Sequence, residues 1–296
     1  MYGTITFLIG KATTAKGMTQ SPKGMAKRVR ASASVLPLCQ LVNDASRKDN
    51  AKSSMLTQVS SLMFQDEWQK ATEIVRSNEM IARKKITSPY FMNEGYSEIF
   101  LIHLACSISS VPVTFLETLF HAYPECSQAT DSRKRNCLQI ALKSGISEEA
   151  LLFLITKDPN SAAHQDCYGR VALHYACSNC RSETVIQHLV DACPAAVCAD
   201  EALDGGWTPL HIVAQNCYSS SVARILIACS SQPLLMTTKS GHTPLSLNQR
   251  RPSRTPSQLS IASILSSEEK RFVHLPIFQN YSQESSRSLV EASYFV

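Results

Sequence analysis

Two sets of side chains in this chain are of types that do chemistry. His103, His174 and His211 carry imidazoles, which act elsewhere as general bases or metal ligands. Cys177-x2-Cys180 and Cys193-x4-Cys198, with His174 and His188 nearby, have the paired-thiol spacing from which structural zinc sites are made. Such a site needs four ligands within about 2.3 Å of one ion. Both sets belong to longer recurrences that assign them another task.

His103, Gln139, His174, His211 and Ser246 are the fourth residues of five versions of one phrase, spaced by 36, 35, 37 and 35. The phrases are Phe100-Leu101-Ile102-His103, Asn136-Cys137-Leu138-Gln139, Val171-Ala172-Leu173-His174, Thr208-Pro209-Leu210-His211 and Thr243-Pro244-Leu245-Ser246. Tyr123-Pro124, Asp158-Pro159 and Cys193-Pro194 recur in step, 35 residues apart, and the first two prolines stand seven residues before Asp131 and Asp166. Self-similarity at this period marks stacked repeats, each burying an apolar side on the next. The histidines are therefore equivalent structural positions. Cys177 recurs as Cys106, a small core position, and Cys193 follows an antiparallel second helix, which separates the two thiols by roughly 15 Å. No metal is expected.

Each unit reads as a turn, a helix, a loop and a second helix. Thr-Pro is a helix start, with Thr as N-cap and Pro where no amide partner is lost. Leu173 and Ala176, like Leu210 and Val213, form the inner side of the first helix. The second helix shows as Phe115-Leu116-Leu119-Phe120, Leu151-Leu152-Leu154-Ile155, Val185-Ile186-Leu189-Val190 and Val222-Ile225-Leu226-Ile227. Gly169, Gly206 and Gly241 stand two residues before a phrase, where a tight turn needs positive φ; Lys134 stands there in the second unit, so that turn is expected to be strained or altered. Earlier, Leu56, Val59, Leu62, Met63, Trp68, Ala71, Ile74 and Val75 have helical spacing and would cap the stack. At the other end, Ser257 is expected to cap a last helix carrying Leu259, Ile261, Ile264 and Leu265, after a loop lengthened by Arg250 to Ser257.

These phrases resemble the ankyrin repeat, whose consensus includes Thr-Pro-Leu-His-x-Ala; Thr208 through Val213 and Gly169 through Ala176 match best. The resemblance covers roughly residues 66–270 and implies an all-α solenoid of stacked helix-turn-helix units with helical caps. It also implies that the phrase histidine holds the neighbouring turn by hydrogen bonds. Periods of 35 to 37 imply extra residues after the second helix, around Pro124, Pro159 and Pro194. Arrays of this kind bind proteins with their turn tips and first helices. Here the tips carry Arg133, Lys134, Arg135, Tyr168, Arg170, Trp207, Lys239 and His242, types favoured at interfaces and biased toward positive charge.

The expected organisation is a basic, disordered arm over 1–54, capping helices over 55–97, the repeat array over 98–270 and a tail over 271–296, in which Phe278 or Tyr281 packs locally. Residues 1–60 hold nine Lys/Arg against Asp44 and Asp49, while the rest holds 20 basic and 22 acidic side chains. The net charge of +5 thus belongs to the arm, and nucleic-acid binding by the array is not indicated. No apolar run approaches the roughly 20 residues that span a bilayer. The arm admits three readings: an organelle transit peptide within 1–43, a nuclear-import patch at Lys27-Arg28-Val29-Arg30, or a plain tail. An odd count of 11 cysteines without a secretion signal points to a reducing compartment, cytoplasmic or nuclear. Arg250-Arg251-Pro252-Ser253 and Thr255-Pro256 fit kinase targets, making Ser253 and Thr255 candidate phosphorylation sites.

No phosphate loop, metalloprotease run or nucleophile elbow occurs, so no catalysis, cofactor or small-molecule substrate is expected. The expected function is a monomeric protein-binding adaptor whose partner carries an acidic segment. The competing expectation is a nucleus- or organelle-directed regulator acting through its arm.

Overall fold

The computed structural model describes residues 52–273 except 89–90, 202–204, 217–218 and 251–254. The arm up to residue 51, the tail from 274, Phe278, Tyr281 and Ser253 lie outside the described residues. No described helix is long and apolar enough to cross a membrane.

The described helices alternate between two layers. Lys52–Phe64 (α1), Leu101–Cys106 (α3), Cys137–Ser144 (α5), Ala172–Ser178 (α7), Pro209–Asn216 (α9) and Pro244–Gln249 (α11) pack successively as an inner row. Trp68–Ser77 (α2), Val113–Ala122 (α4), Glu148–Lys157 (α6), Glu183–Ala192 (α8), Ser220–Cys229 (α10) and Pro256–Val273 (α12) form the outer row. One continuous core runs between the rows, including Val59, Ala71, Leu104, Leu116, Leu138, Leu151, Leu173, Ile186, Leu210, Leu226 and Ile261. The capping pair α1 and α2 obeys the same layering, burying Val59, Met63, Ala71 and Val75. Its apolar side thereby covers that of the first unit.

Local chemistry sets the helix ends. Asn136 accepts from the Gln139 amide at 2.9 Å while Gln139 Oε1 accepts from the Asn136 amide at 3.0 Å, a reciprocal capping box. Ser147, Ser182 and Thr243 cap α6, α8 and α11. The second helices end alike: Tyr123, Asp158 and Cys193 have φ of −144°, −143° and −147° and ψ of 84°, 84° and 83°, each before a proline that opens a 3-10 turn. Proline disfavours helical geometry in the preceding residue, so the chain leaves the helix there. The 3-10 turns Pro124–Ser127, Pro159–Ala163 and Pro194–Cys198 hold the extra residues implied by the long period.

Three expectations change. Residues 55–97 are helical as far as the short turn Glu79–Ile81; Lys85–Ser88 (β1) and Ser97–Phe100 (β2) then pair as an antiparallel hairpin, with one short 3-10 turn, Phe91–Asn93, between them. Ile86 and Ile99 face each other inward while Lys85 and Glu98 pair outside at 2.9 Å, an alternation suited to a half-buried strand. Ser257 does not cap α12. Thr255 does, its hydroxyl accepting from the Gln258 amide at 3.3 Å and its amide donating to Gln258 Oε1 at 3.0 Å. Leu259 is not a core residue: it is half exposed, while Ile261 and Leu265 are buried.

Candidate functional site

The histidines bind backbone. His103, His174 and His211 each accept, through Nδ1, the amide of the phrase's first residue: Phe100 at 3.1 Å, Val171 at 3.2 Å and Thr208 at 3.1 Å. Nδ1 is thus the acceptor, and the proton sits on Nε2. Nε2 donates at 3.0 Å to the carbonyls of Ala129, Trp207 and His242 respectively, in the next turn along the stack. Burial pushes the pKa of His103 and of His174 down to about 4, against the opposing hydrogen bonds to Ala129 and Trp207, and lowers His211 likewise. Gln139 does the same work without titrating: its amide nitrogen donates at 2.8 Å to the carbonyls of His164 and Arg170.

The turns so held form a row. The Cys167 amide donates to the Arg133 carbonyl at 2.9 Å, and the Lys239 amide to the Gly205 carbonyl at 2.8 Å. The hairpin extends this row, since the Glu98 amide donates to Ser132 Oγ at 3.0 Å. Within two turns an aspartate is the organiser. Asp131 Oδ1 accepts the Arg133 and Arg135 amides, both at 2.9 Å; Asp166 Oδ1 accepts those of Tyr168 at 2.8 Å and Arg170 at 2.9 Å. At the tips, Lys134 adopts φ +56° where Gly169, Gly206 and Gly241 have +84°, +69° and +76°, as its place in the repeat predicts.

Arg135 is not an exposed tip residue. Its side chain is 3% exposed and grips Asp131 Oδ2 through Nε at 2.8 Å and Nη2 at 2.6 Å. An arginine four residues after the turn aspartate is drawn back over it, so Arg135 stabilises the turn, and only its Nη1 reaches toward the hairpin loop, at Glu94. Arg170 repeats the pairing more loosely, with Nε 3.1 Å from Asp166 Oδ2 and its guanidinium 4.6 Å from the Tyr168 ring centre. Burial raises the Asp166 pKa, but the Tyr175 hydroxyl at 2.6 Å, the turn amides and Arg170 outweigh it, leaving the carboxyl below its usual range.

Arg133, Tyr168 and Arg170 come together in one cleft of about 480 Å³ on the face of tips and first helices. Its walls add Glu94, Lys143, Tyr175 and Asn179, none of them singled out from sequence. Glu94 arrives from the hairpin loop. Its carboxylate meets Arg135 Nη1 at 2.5 Å, Arg133 Nη1 at 3.5 Å and Lys143 Nζ, and its carbonyl accepts from Arg133 Nη2 at 3.0 Å. Burial pushes the Glu94 pKa up, yet the Lys143 ammonium and the two guanidiniums more than offset this and hold it low.

The remaining sequence-derived residues lie elsewhere. Lys134 and Lys239 are exposed tips. Trp207 is half-buried, its ring packed over Gly205 and 6.2 Å from that of His211, and it borders a neighbouring cleft that shares Ser178 with the first. His242 is half-buried and contacts the Arg250 guanidinium. Thr255 is exposed at the start of α12. Cys177 is buried at the end of α7, Cys180 is exposed with φ +49°, and Cys193 ends α8.

Residues 102–198 match a family profile described as ankyrin repeats (3 copies). No curated protein matches the chain. Among solved structures it is similar to a chain of the complex titled "Bd0816 Predatory Endopeptidase from Bdellovibrio bacteriovorus in complex with immunity protein Bd3460", with 21% identity and a TM-score of 0.46 over 56% of this chain and 80% of that one. Two phrases lie wholly inside the matched segment and a third, Phe100 to His103, straddles its start, and the two helical layers continue beyond it on both sides. The chain carries ankyrin repeats, built as a helical solenoid.

Proposed function

We propose that this chain is a non-catalytic adaptor that holds a partner protein against its turn tips and first helices, and that the partner presents an acidic segment there. Ankyrin repeats form a protein-interaction domain, which gives the general class. The finer reading rests on one observation: the cleft joins Arg133, Lys143 and Arg170 with Tyr168 and Tyr175 on a face whose backbone is fixed turn to turn. Arginine and tyrosine supply charge and rigid contact area, and the fixed backbone lowers the ordering cost of binding. Exposed Lys134 and Lys239 extend the positive character along the tips.

The test is kinetic. With a partner captured by the full chain and then purified, Lys134→Glu combined with Lys239→Glu should slow association and flatten its dependence on salt. Association kinetics unchanged at every salt concentration would remove the tips and the acidic segment from the reading.

A further inference from the structure

We propose that the cleft contains a seat for a carboxylate of the partner's acidic segment, and that Glu94 occupies this seat in the isolated chain and yields it on binding. The inference rests on the acidic-partner reading and identifies its subsite. Glu94 shows what the seat accepts: one carboxylate touching Arg133, Arg135 and Lys143. Among the described residues only Arg135 of these cations is gripped by a second carboxylate, Asp131, so three positive charges face two negative ones there. One turn further on, Arg170 is matched by Asp166.

The seat is reachable and has an extension. Arg133 and Lys143 side chains are each 34% exposed, and Glu94 is 20% exposed. Glu94 reaches the repeats from a loop between short strands, 41 residues before Arg135. The cleft continues past it along Tyr168, Arg170 and Asn179. Stacked helices lie about 8–10 Å apart, and an extended peptide rises about 3.3 Å per residue. A peptide carboxylate in the place of Glu94 therefore puts the side chain about three residues on against Tyr168 and Arg170. Exchanging one carboxylate for another leaves the three cations paired, so displacement does not strand a buried charge.

Fluorescein-labelled decaglutamate, followed by anisotropy with the full-length chain at low salt, tests this. Glu94→Gln should bind roughly five- to tenfold tighter than the wild type, the equivalent of one partly exposed ion pair. Glu98→Gln adds the same charge on the same hairpin, at the outer Lys85 pair, and should leave affinity within about twofold. Arg133→Gln with Lys143→Gln should weaken binding by about tenfold. Equal gains for Glu94→Gln and Glu98→Gln would reduce the effect to general electrostatics and overturn the proposal. So would a Glu94→Gln chain unfolded by circular dichroism, since that carboxylate would be a clamp that cannot leave. Wild-type binding through Arg133 and Lys143 with no gain in Glu94→Gln sinks the displacement alone and leaves the acidic-partner reading standing. No binding to either protein removes both.

Discussion

His174 and Trp207 are joined across two repeats, the imidazole Nε2 donating to the tryptophan carbonyl at 3.0 Å while Nδ1 accepts the amide of Val171. His103 makes the same pair of bonds, and burial keeps both rings neutral, which makes the fold sensitive to acid. Each histidine takes a proton near its ordinary value of 6.5 when unfolded but only at about 4 when folded. Protonation therefore favours the unfolded chain. Stability is full above the unfolded value and is lost as pH falls from there to about 4. At pH 5 the loss is about 2 kcal/mol per histidine. His174→Gln copies the arrangement of Gln139 and should remove one histidine's share of this loss. Urea unfolding at pH 7 and pH 5 measures it; an equal loss in wild type and variant would contradict the neutral-ring account.

Leu173 and Leu210 are buried at equivalent places in α7 and α9. Truncating either to alanine leaves a cavity between the helical layers and should cost about 2–5 kcal/mol. Because neighbouring units share that core, unfolding should remain a single transition with a lowered midpoint. A midpoint at the wild-type value would mean that the layer had closed over the gap.

Lys134 holds φ +56° where the other turns use glycine. The left-handed backbone costs a non-glycine residue about 1–2 kcal/mol, and the greater unfolded freedom of glycine returns about 0.5–1 of that. Lys134→Gly should thus stabilise the chain by up to about 1 kcal/mol. A fall in melting temperature would show that the lysine side chain stabilises the tip by more than its backbone strain costs.

Arg135 and Lys239 were indistinguishable as basic turn residues, yet their substitutions should separate sharply. Arg135→Met strands the Asp131 carboxylate, which is 0% exposed, and should cost about 3 kcal/mol or more. Lys239→Ala, at an exposed tip, should change stability by less than about 0.5 kcal/mol. Thermal denaturation of both variants decides whether the aspartate, and not mere position in the turn, sets the role of each cation.

The legible parts of this chain were those written once per unit. The phrase histidines, the prolines that end the second helices and the αL turn position recur at a fixed spacing, because each repeat solves the same packing problem against its neighbour. The aspartate-arginine pair was also written twice, as Asp131 with Arg135 and Asp166 with Arg170, and a comparison of the units shows it. The hairpin was not legible, since β1 and β2 are four residues each, too short for an alternation to stand out. Glu94 left no local signal at all: its partners lie 39 to 49 residues away and are brought to it only by stacking. Lys143 was hidden for the same reason, as one lysine on the solvent side of a short inner helix.

Tyr123 and Asp158 leave their helices with backbone angles that agree within a degree, and each is followed by proline. The joint is therefore interchangeable. Excising residues 124–158 would splice Tyr123 directly onto Pro159 and delete one whole unit, with inner helix, outer helix and turn removed in register. An excision that removed a single helix would bring a helix of one layer against the wrong layer. By this geometry, lengthening or shortening the array in evolution or by engineering proceeds in whole storeys.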